Sequence, residues 1–206
     1  MTSIFISHSR KDKDILDTFN SLFAGTTLKA IRAEFESFPL PPWKKIKEWV
    51  QESSAVFLLL GPNLKSSDFT QNWVSYEVGL ACAMNMPVWV FEKFDEPLNF
   101  PVPYLNHYLL YDPSQKQDLD YIKARIEEYN PSPQLAAAGL LSALGYAVGG
   151  GGGAIVGGII GLLSQQKKST KRIICPYPNC KIEFNLHGAV NNLNCPSCRQ
   201  GMKLNN

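Results

Sequence analysis

A chain of 206 residues with 45% hydrophobic and 18% charged side chains can bury one ordinary domain core with something smaller beside it, which excludes wholesale disorder. The formal net charge of +2 is too small for a protein coated in nucleic acid. It hides a segregation: residues 1–133 carry 13 Lys and Arg against 17 Asp and Glu, whereas residues 134–206 carry 7 against 1. Five cysteines, Cys82 and four between Cys175 and Cys198, are not spread like the disulfide framework of a secreted domain and point to a reducing compartment. Met1-Thr2-Ser3 runs straight into Ile4-Phe5-Ile6 with no basic segment ahead of a long apolar run, so no signal peptide and a cytoplasmic location are predicted.

Short apolar runs alternate with helical patterns over the first 130 residues, the signature of strand and helix units around a parallel sheet. Strands are predicted over 3–7, 29–35, 55–61, 87–91 and 107–111, and helices over 13–23, 43–52, 73–85 and 117–129. The continuous run Val56-Phe57-Leu58-Leu59-Leu60 is that of a central strand covered on both faces. Cys82 reads as a small buried residue of the third helix.

Residues 129–166 contain no charged side chain, and 135–163 are Leu, Ile, Val, Ala and Gly with two hydroxyl residues, longer than the roughly 20 residues that span a bilayer. Gly145, Gly149, Gly153, Gly157 and Gly161 recur at every fourth position and leave a small strip along one helical face. The run Gly149 to Gly153 weakens such a helix, at about 1 kcal/mol per glycine in water, and suits a break or hairpin. A membrane or oligomerisation segment over 134–166 is predicted, with a Gly-rich linker as the plain alternative. Lys167, Lys168, Lys171 and Arg172 then form a basic flank of the kind that favours the cytoplasmic side and anionic lipid. One span would put the two ends of the chain on opposite sides of a membrane, so non-spanning insertion or protein-buried assembly is preferred.

Cys175-Pro-Tyr-Pro-Asn-Cys180 and Cys195-Pro-Ser-Cys198, separated by fourteen residues, supply two pairs of thiolates on tight turns. Four sulfurs suit a tetrahedral, structural Zn2+, and a segment of this size needs such a staple; a redox pair at Cys195 and Cys198 is the alternative. The module, 167–206 with its basic linker, resembles a zinc ribbon, although its first knuckle has four spacer residues where two are usual. With four cysteines as ligands, His187 is expected at the surface or in a loop, and the ribbon's own partner stays open.

On the third helix, Trp73-Val-Ser-Tyr-Glu77-Val-Gly-Leu80-Ala81 sets a carboxylate on an apolar stripe with no basic residue within a helical turn. A structural glutamate paired with another element is the common alternative. Together with Ile4-Phe5-Ile6-Ser7-His8 and the run from Ile46 to Gly61, this pattern resembles a Toll/interleukin receptor (TIR) domain over residues 1–133, with Trp73 and Glu77 similar to those members that cleave NAD. The resemblance implies an α/β fold with a flavodoxin-like five-stranded parallel sheet. It also implies an NAD+ glycohydrolase that breaks the nicotinamide–ribose bond to give linear or cyclic ADP-ribose, with Glu77 catalytic. His8, Ser9 and Arg10 would lie in the loop beside substrate, Glu34 and Glu36 at acidic positions after the second strand, and Trp43 and Trp73 near the nucleotide. The chain departs from the family in Pro39, Pro41 and Pro42, which stiffen the loop, and in Ser3 where an acidic residue is usual. The resemblance further implies a homo-oligomer formed through TIR contacts and the glycine-rich segment, in defence or stress signalling. A non-enzymatic TIR adaptor and a membrane-disrupting effector are the competing functions.

Overall fold

The run Ala55-Val-Phe-Leu-Leu-Leu60 forms strand β3 (Ala55–Leu60), buried at every residue. It belongs to a computed structural model that describes residues 2–32, 42–66, 68–95, 98, 100–130, 170–188, 190 and 192–204. Strands β1 (Ser3–Ser7) and β4 (Val88–Lys93) flank it in parallel, β2 (Lys29–Arg32) pairs outside β1, and β5 (His107–Tyr111) pairs outside β4. The order β2-β1-β3-β4-β5 is that of the flavodoxin-like doubly wound sheet, in which the chain changes its direction of winding between β1 and β3.

Helices α1 (Lys13–Phe23), α2 (Pro42–Gln51), α3 (Asp68–Ala83) and α4 (Lys116–Glu127) close the two faces. The pleat sorts the side chains. Ile4, Ile6, Phe57, Leu59, Trp89, Phe91 and Leu109 point toward α1 and α4, while Phe5, Val56, Leu58, Val88, Val90 and Tyr108 point toward α2 and α3. Ile15, Phe19, Leu22 and Phe23 recur at helical spacing and make the apolar face of α1. α3 starts five residues before its expected first residue, because Thr70, Gln71 and Asn72 hide its first turns from an apolar period; Asp68 there favours a helix N-terminus.

Among the described residues the sheet has seven strands rather than five. β6 (Thr170–Ile174) and β7 (Glu183–His187) form an antiparallel hairpin, and β7 pairs in parallel with β5, His107 lying opposite Asn185 and Leu109 opposite His187. Without β7, β5 would present a bare ladder edge. Phe184, Leu186 and Ile173 instead extend the apolar face shared with α2 and α3. A second hairpin, β8 (Asn192–Asn194) with β9 (Gly201–Lys203), carries the second cysteine knuckle and buries Leu193 and Met202 in the same core.

Two expectations are overturned. His187 is buried at 4% exposure within β7, because its place next to β5 puts the ring under α4. Cys82 is exposed, since the buried face of α3 is taken by Val74, Glu77, Val78 and Ala81.

His187 stands at a junction of polar contacts across the added strand. Its Nε2 is 3.0 Å from His107 Nδ1, its Nδ1 is 2.6 Å from the Tyr121 hydroxyl of α4, and its ring stacks on Trp89 at 4.8 Å. Trp89 also stacks on His107 at 4.0 Å. Burial, with the charge of Arg125 adding to it, pushes the His107 imidazole down to about 4, so this ring stays neutral. Just before residues 131–169, Asn130 accepts a hydrogen bond from Thr27; just after them, Thr170 Oγ1 lies 3.2 Å from His187 Nδ1. Residues 33–41 and 131–169 themselves, and with them Glu34, Glu36 and the glycine-rich segment, lie outside the described residues.

His187→Ala removes one partner from both His107 and Tyr121 and a ring from the stack. A loss of about 2 kcal/mol is expected. It is checked as a lower urea midpoint with unchanged slope; an unchanged midpoint would mean that the β5–β7 seam carries no stability.

Candidate functional site

In a doubly wound sheet, ligands bind beyond the carboxyl ends of the strands where the winding reverses, here past β1 and β3. Ser7 is the last residue of β1, and its hydroxyl donates a 2.5 Å hydrogen bond to Glu77 Oε2 from across 70 residues of sequence. Glu77 is buried on α3 with 3% exposure, among Val74, Val78 and Ala81. Burial pushes its carboxyl up to about 8, against a smaller lowering by the Ser7 hydroxyl. An ordinary structural glutamate would carry an arginine or lysine. This one has a neutral hydroxyl and a dry setting, so its charge state can respond to a cation brought beside it.

The loop that leaves β1 is partly enclosed: Ser9 is 2% exposed, His8 Nδ1 lies 3.2 Å from the carbonyl of Ile6, and Arg10 is exposed. The loop is pinned by Asp12, whose Oδ1 accepts hydrogen bonds from Asn63 N (3.0 Å) and Asn63 Nδ2 (2.7 Å) at the end of β3. A Cβ at Gly61 would come within 2.3 Å of Asp12 Oδ2, so only glycine allows this joint. Asp12, Gly61 and Asn63 bridge the two strands at the reversal, and spacing along the chain gives no sign of it.

Trp73 lies one turn before Glu77 and meets Phe69 at 6.0 Å and Tyr76 at 5.7 Å between ring centroids, all edge to face. The Tyr76 hydroxyl donates to the Trp43 carbonyl at 3.3 Å, which ties this ladder to α2. Trp43 is 47% exposed and Phe69 58% exposed. Of the residues named from sequence, Glu77 is thus joined to the end of β1, from which His8 to Arg10 continue, and Trp73, one turn before it on α3, is linked through Tyr76 to Trp43 of α2. Phe69 and Tyr76 were missed, although their spacing of four and three from Trp73 could have found them.

The four knuckle cysteines form a second centre. Their sulfurs all lie within 4.8 Å of one another, with Cys175 to Cys198 at 3.7 Å and Cys180 to Cys195 at 3.8 Å. Bonds of about 2.3 Å in a tetrahedron separate sulfurs by about 3.8 Å, so the set fits one ion. Lys181 and Arg199, each directly after the second cysteine of its knuckle, have φ of 48° and 60°, and their N–H groups reach the carbonyls of Tyr177 (3.2 Å) and Cys195 (2.8 Å). Both knuckles therefore close with the same turn, and the two extra residues of the first lie ahead of it. Burial pushes the Cys195 thiol up to about 12. At Cys180 burial also raises the thiol, but hydrogen bonds led by the Ile182 N–H outweigh it and bring it to about 7.

No family model matches the chain, and no curated protein sequence does. Among solved structures the chain is similar to the TIR domains of the activated Roq1 resistosome directly recognizing the pathogen effector XopQ. That likeness has 12% sequence identity and a TM-score of 0.37, and covers 67% of this chain and 77% of that one.

The raised carboxyl of Glu77 has a consequence for stability. Its folded value of about 8 lies above the ordinary 4.5, so the stability held by the neutral form is complete below pH 4.5 and is lost as pH rises through about 8. Glu77→Gln keeps the shape and cannot ionise. Its melting temperature relative to the parent is expected to climb between these two pH values and then level off; a difference independent of pH would show a carboxyl that is not shifted.

Proposed function

We propose that the chain hydrolyses NAD+ at the bond between nicotinamide and ribose, with Glu77 as the catalytic residue. The observation that carries this is the buried Glu77 carboxyl, bonded to Ser7 at the strand end where the winding reverses and raised to about 8. A pyridinium ring arriving beside Glu77 brings the positive charge that favours its ionised form. As the C1′–N bond breaks, its electron pair goes to the ring nitrogen, which leaves neutral, and positive charge builds on the ribose. The Glu77 carboxylate stabilises that charge from a dry site. Water then adds its oxygen to C1′ and releases one proton; attack by the adenine ring instead would give a cyclic product. The leaving group is already cationic, so a general acid is not needed.

In this reading Arg10 meets phosphate, His8 and Ser9 line the near side, and Trp73 and Trp43 border the rings, with Glu34 and Glu36 on the far loop. Cys175, Cys180, Cys195 and Cys198 hold one structural Zn2+, which supplies cross-linking of the two knuckles and no step of the reaction. Activity is raised by self-assembly through TIR-type contacts and the glycine-rich segment, in a defence or stress response, with membrane association resting on residues 134–166. Among the described residues no helix is long and apolar enough to cross a membrane. The exposed Trp43 and Phe69 favour a second reading, an adaptor that recruits other proteins of the same fold.

Full-length protein incubated with NAD+ is expected to release nicotinamide, and Glu77→Gln to lower the rate by about a hundredfold or more. The kcat/KM of the parent should rise with pH to a plateau above about 8, because the free enzyme acts with Glu77 ionised. Nicotinamide release that survives Glu77→Gln would sink the assignment, and an inactive parent even when clustered would favour the adaptor.

Elemental analysis should find one zinc per chain, and Cys198→Ser should lose it and also lower the melting temperature of the sheet, since Cys175 and Cys195 lie in the core shared with α2 and α3. Full zinc content in Cys198→Ser would remove it as a ligand.

A further inference from the structure

A cavity of about 490 Å³ opens on the sheet face shared with α2 and α3, between the carboxyl ends of β4 and β5 and the β8–β9 hairpin. That volume is within the usual range for small-molecule sites. β4 is two strands away from β1, about 10 Å at the usual strand spacing, and Glu77 is not among the residues that line this cavity.

Its charge is set by three side chains. Glu92, fully buried at the end of β4, is neutralised by Arg199, whose Nη1 is 3.2 Å from Glu92 Oε2. Arg199 Nε donates to the Phe100 carbonyl at 2.6 Å, but Nη2 is buried without an acceptor among the described residues, on a side chain only 10% exposed. An orphaned guanidinium donor in a dry setting is costly and asks for an oxygen. Lys203, cross-strand from Asn192, adds a positive charge that no acid balances among the described residues of the cavity wall. The described wall, with Glu92, Arg199 and Lys203, is cationic by one.

The rim is suited to a flat polar ring. Phe94 offers a face that is 63% exposed, and Asn192 and Asn194 offer amides that donate and accept at once. Gly201 stands opposite Asn194 with no side chain, and a Cβ there would meet nothing closer than Asn194 Oδ1 at 3.6 Å, so the space beside that amide is open. We infer that this cavity is a binding site for a nucleoside phosphate, with the phosphate on Arg199 and Lys203 and the base between Phe94 and the asparagine amides. The site is made jointly by the sheet and the second cysteine knuckle. It does not depend on whether Glu77 is catalytic.

The test uses full-length protein with its metal, and calorimetry with AMP, adenosine and inorganic phosphate as probes. AMP should bind in the micromolar range, and adenosine and inorganic phosphate each at least about tenfold more weakly. Lys203→Glu and Phe94→Ala, both at exposed positions, should each weaken AMP by about tenfold or more while zinc content and melting temperature stay as in the parent. Glu77→Gln should bind AMP as the parent does, which separates this site from the proposed catalytic one. Absence of AMP binding at about 1 mM would overturn the inference. So would AMP binding that is lost in Glu77→Gln and kept in Lys203→Glu, or inorganic phosphate binding as tightly as AMP.

Discussion

The Glu92 carboxylate is the charge on which the joined architecture rests. It is fully buried, and it accepts from the Leu98 N–H at 2.5 Å, from the Tyr108 hydroxyl and from the Arg199 guanidinium. Those donors come from the loop after β4, from β5 and from the second cysteine knuckle. Burial, reinforced by the neighbouring Glu92 charge, holds the Tyr108 hydroxyl well above its ordinary range, so it stays a donor. A carboxylate removed from water costs several kcal/mol unless paired and fully bonded. The sheet end can therefore be dry only while the knuckle is in place. The same loop grips the module through backbone as well, the Val102 N–H donating to Pro196 at 2.9 Å and the Asn185 N–H to Asn106 at 2.8 Å.

This dependence differs from the usual relation between a domain and a small metal module on a tail. The knuckles cannot form a core alone, and here they do not have to: Cys175, Cys195, Leu193 and Met202 belong to one buried apolar cluster with Phe184, Val90 and Tyr108. Knuckle and sheet support each other, because the turn that closes the second knuckle presents Arg199 while the sheet supplies the carboxylate that Arg199 needs.

What the sequence disclosed follows from how local each signal is. The apolar run of β3, the alternation of strands with helices and the knuckle spacing are all contained in windows of a few to twenty residues, and each has its counterpart in the structure. The odd placement of Glu77 on an apolar stripe was also local. Its partner was not, since the bond from Ser7 spans 70 residues. The pairing of β7 with β5 was hidden for a similar reason. Glu183-Phe-Asn-Leu-His187 alternates as any half-buried hairpin strand does, and nothing within it says that its ladder partner lies some eighty residues earlier. Arg199 was likewise one basic residue among seven in the tail until the buried Glu92 gave it a place.

The chain is anchored on both sides of residues 131–169. Asn130 is tied to Thr27 beside α4, and Thr170 opens β6 in the sheet that α4 covers. The residues on either side of the segment are thus held on one folded body. Parity then constrains it whatever path it takes: a bilayer that it enters must be crossed an even number of times or not at all, and a single crossing would require β7 to be torn from β5. Its ends also move as one, so any partner or lipid that holds the segment holds the whole sheet and the cavity beside the second knuckle with it, and several copies gathered by it bring their sheets together with their knuckles already docked.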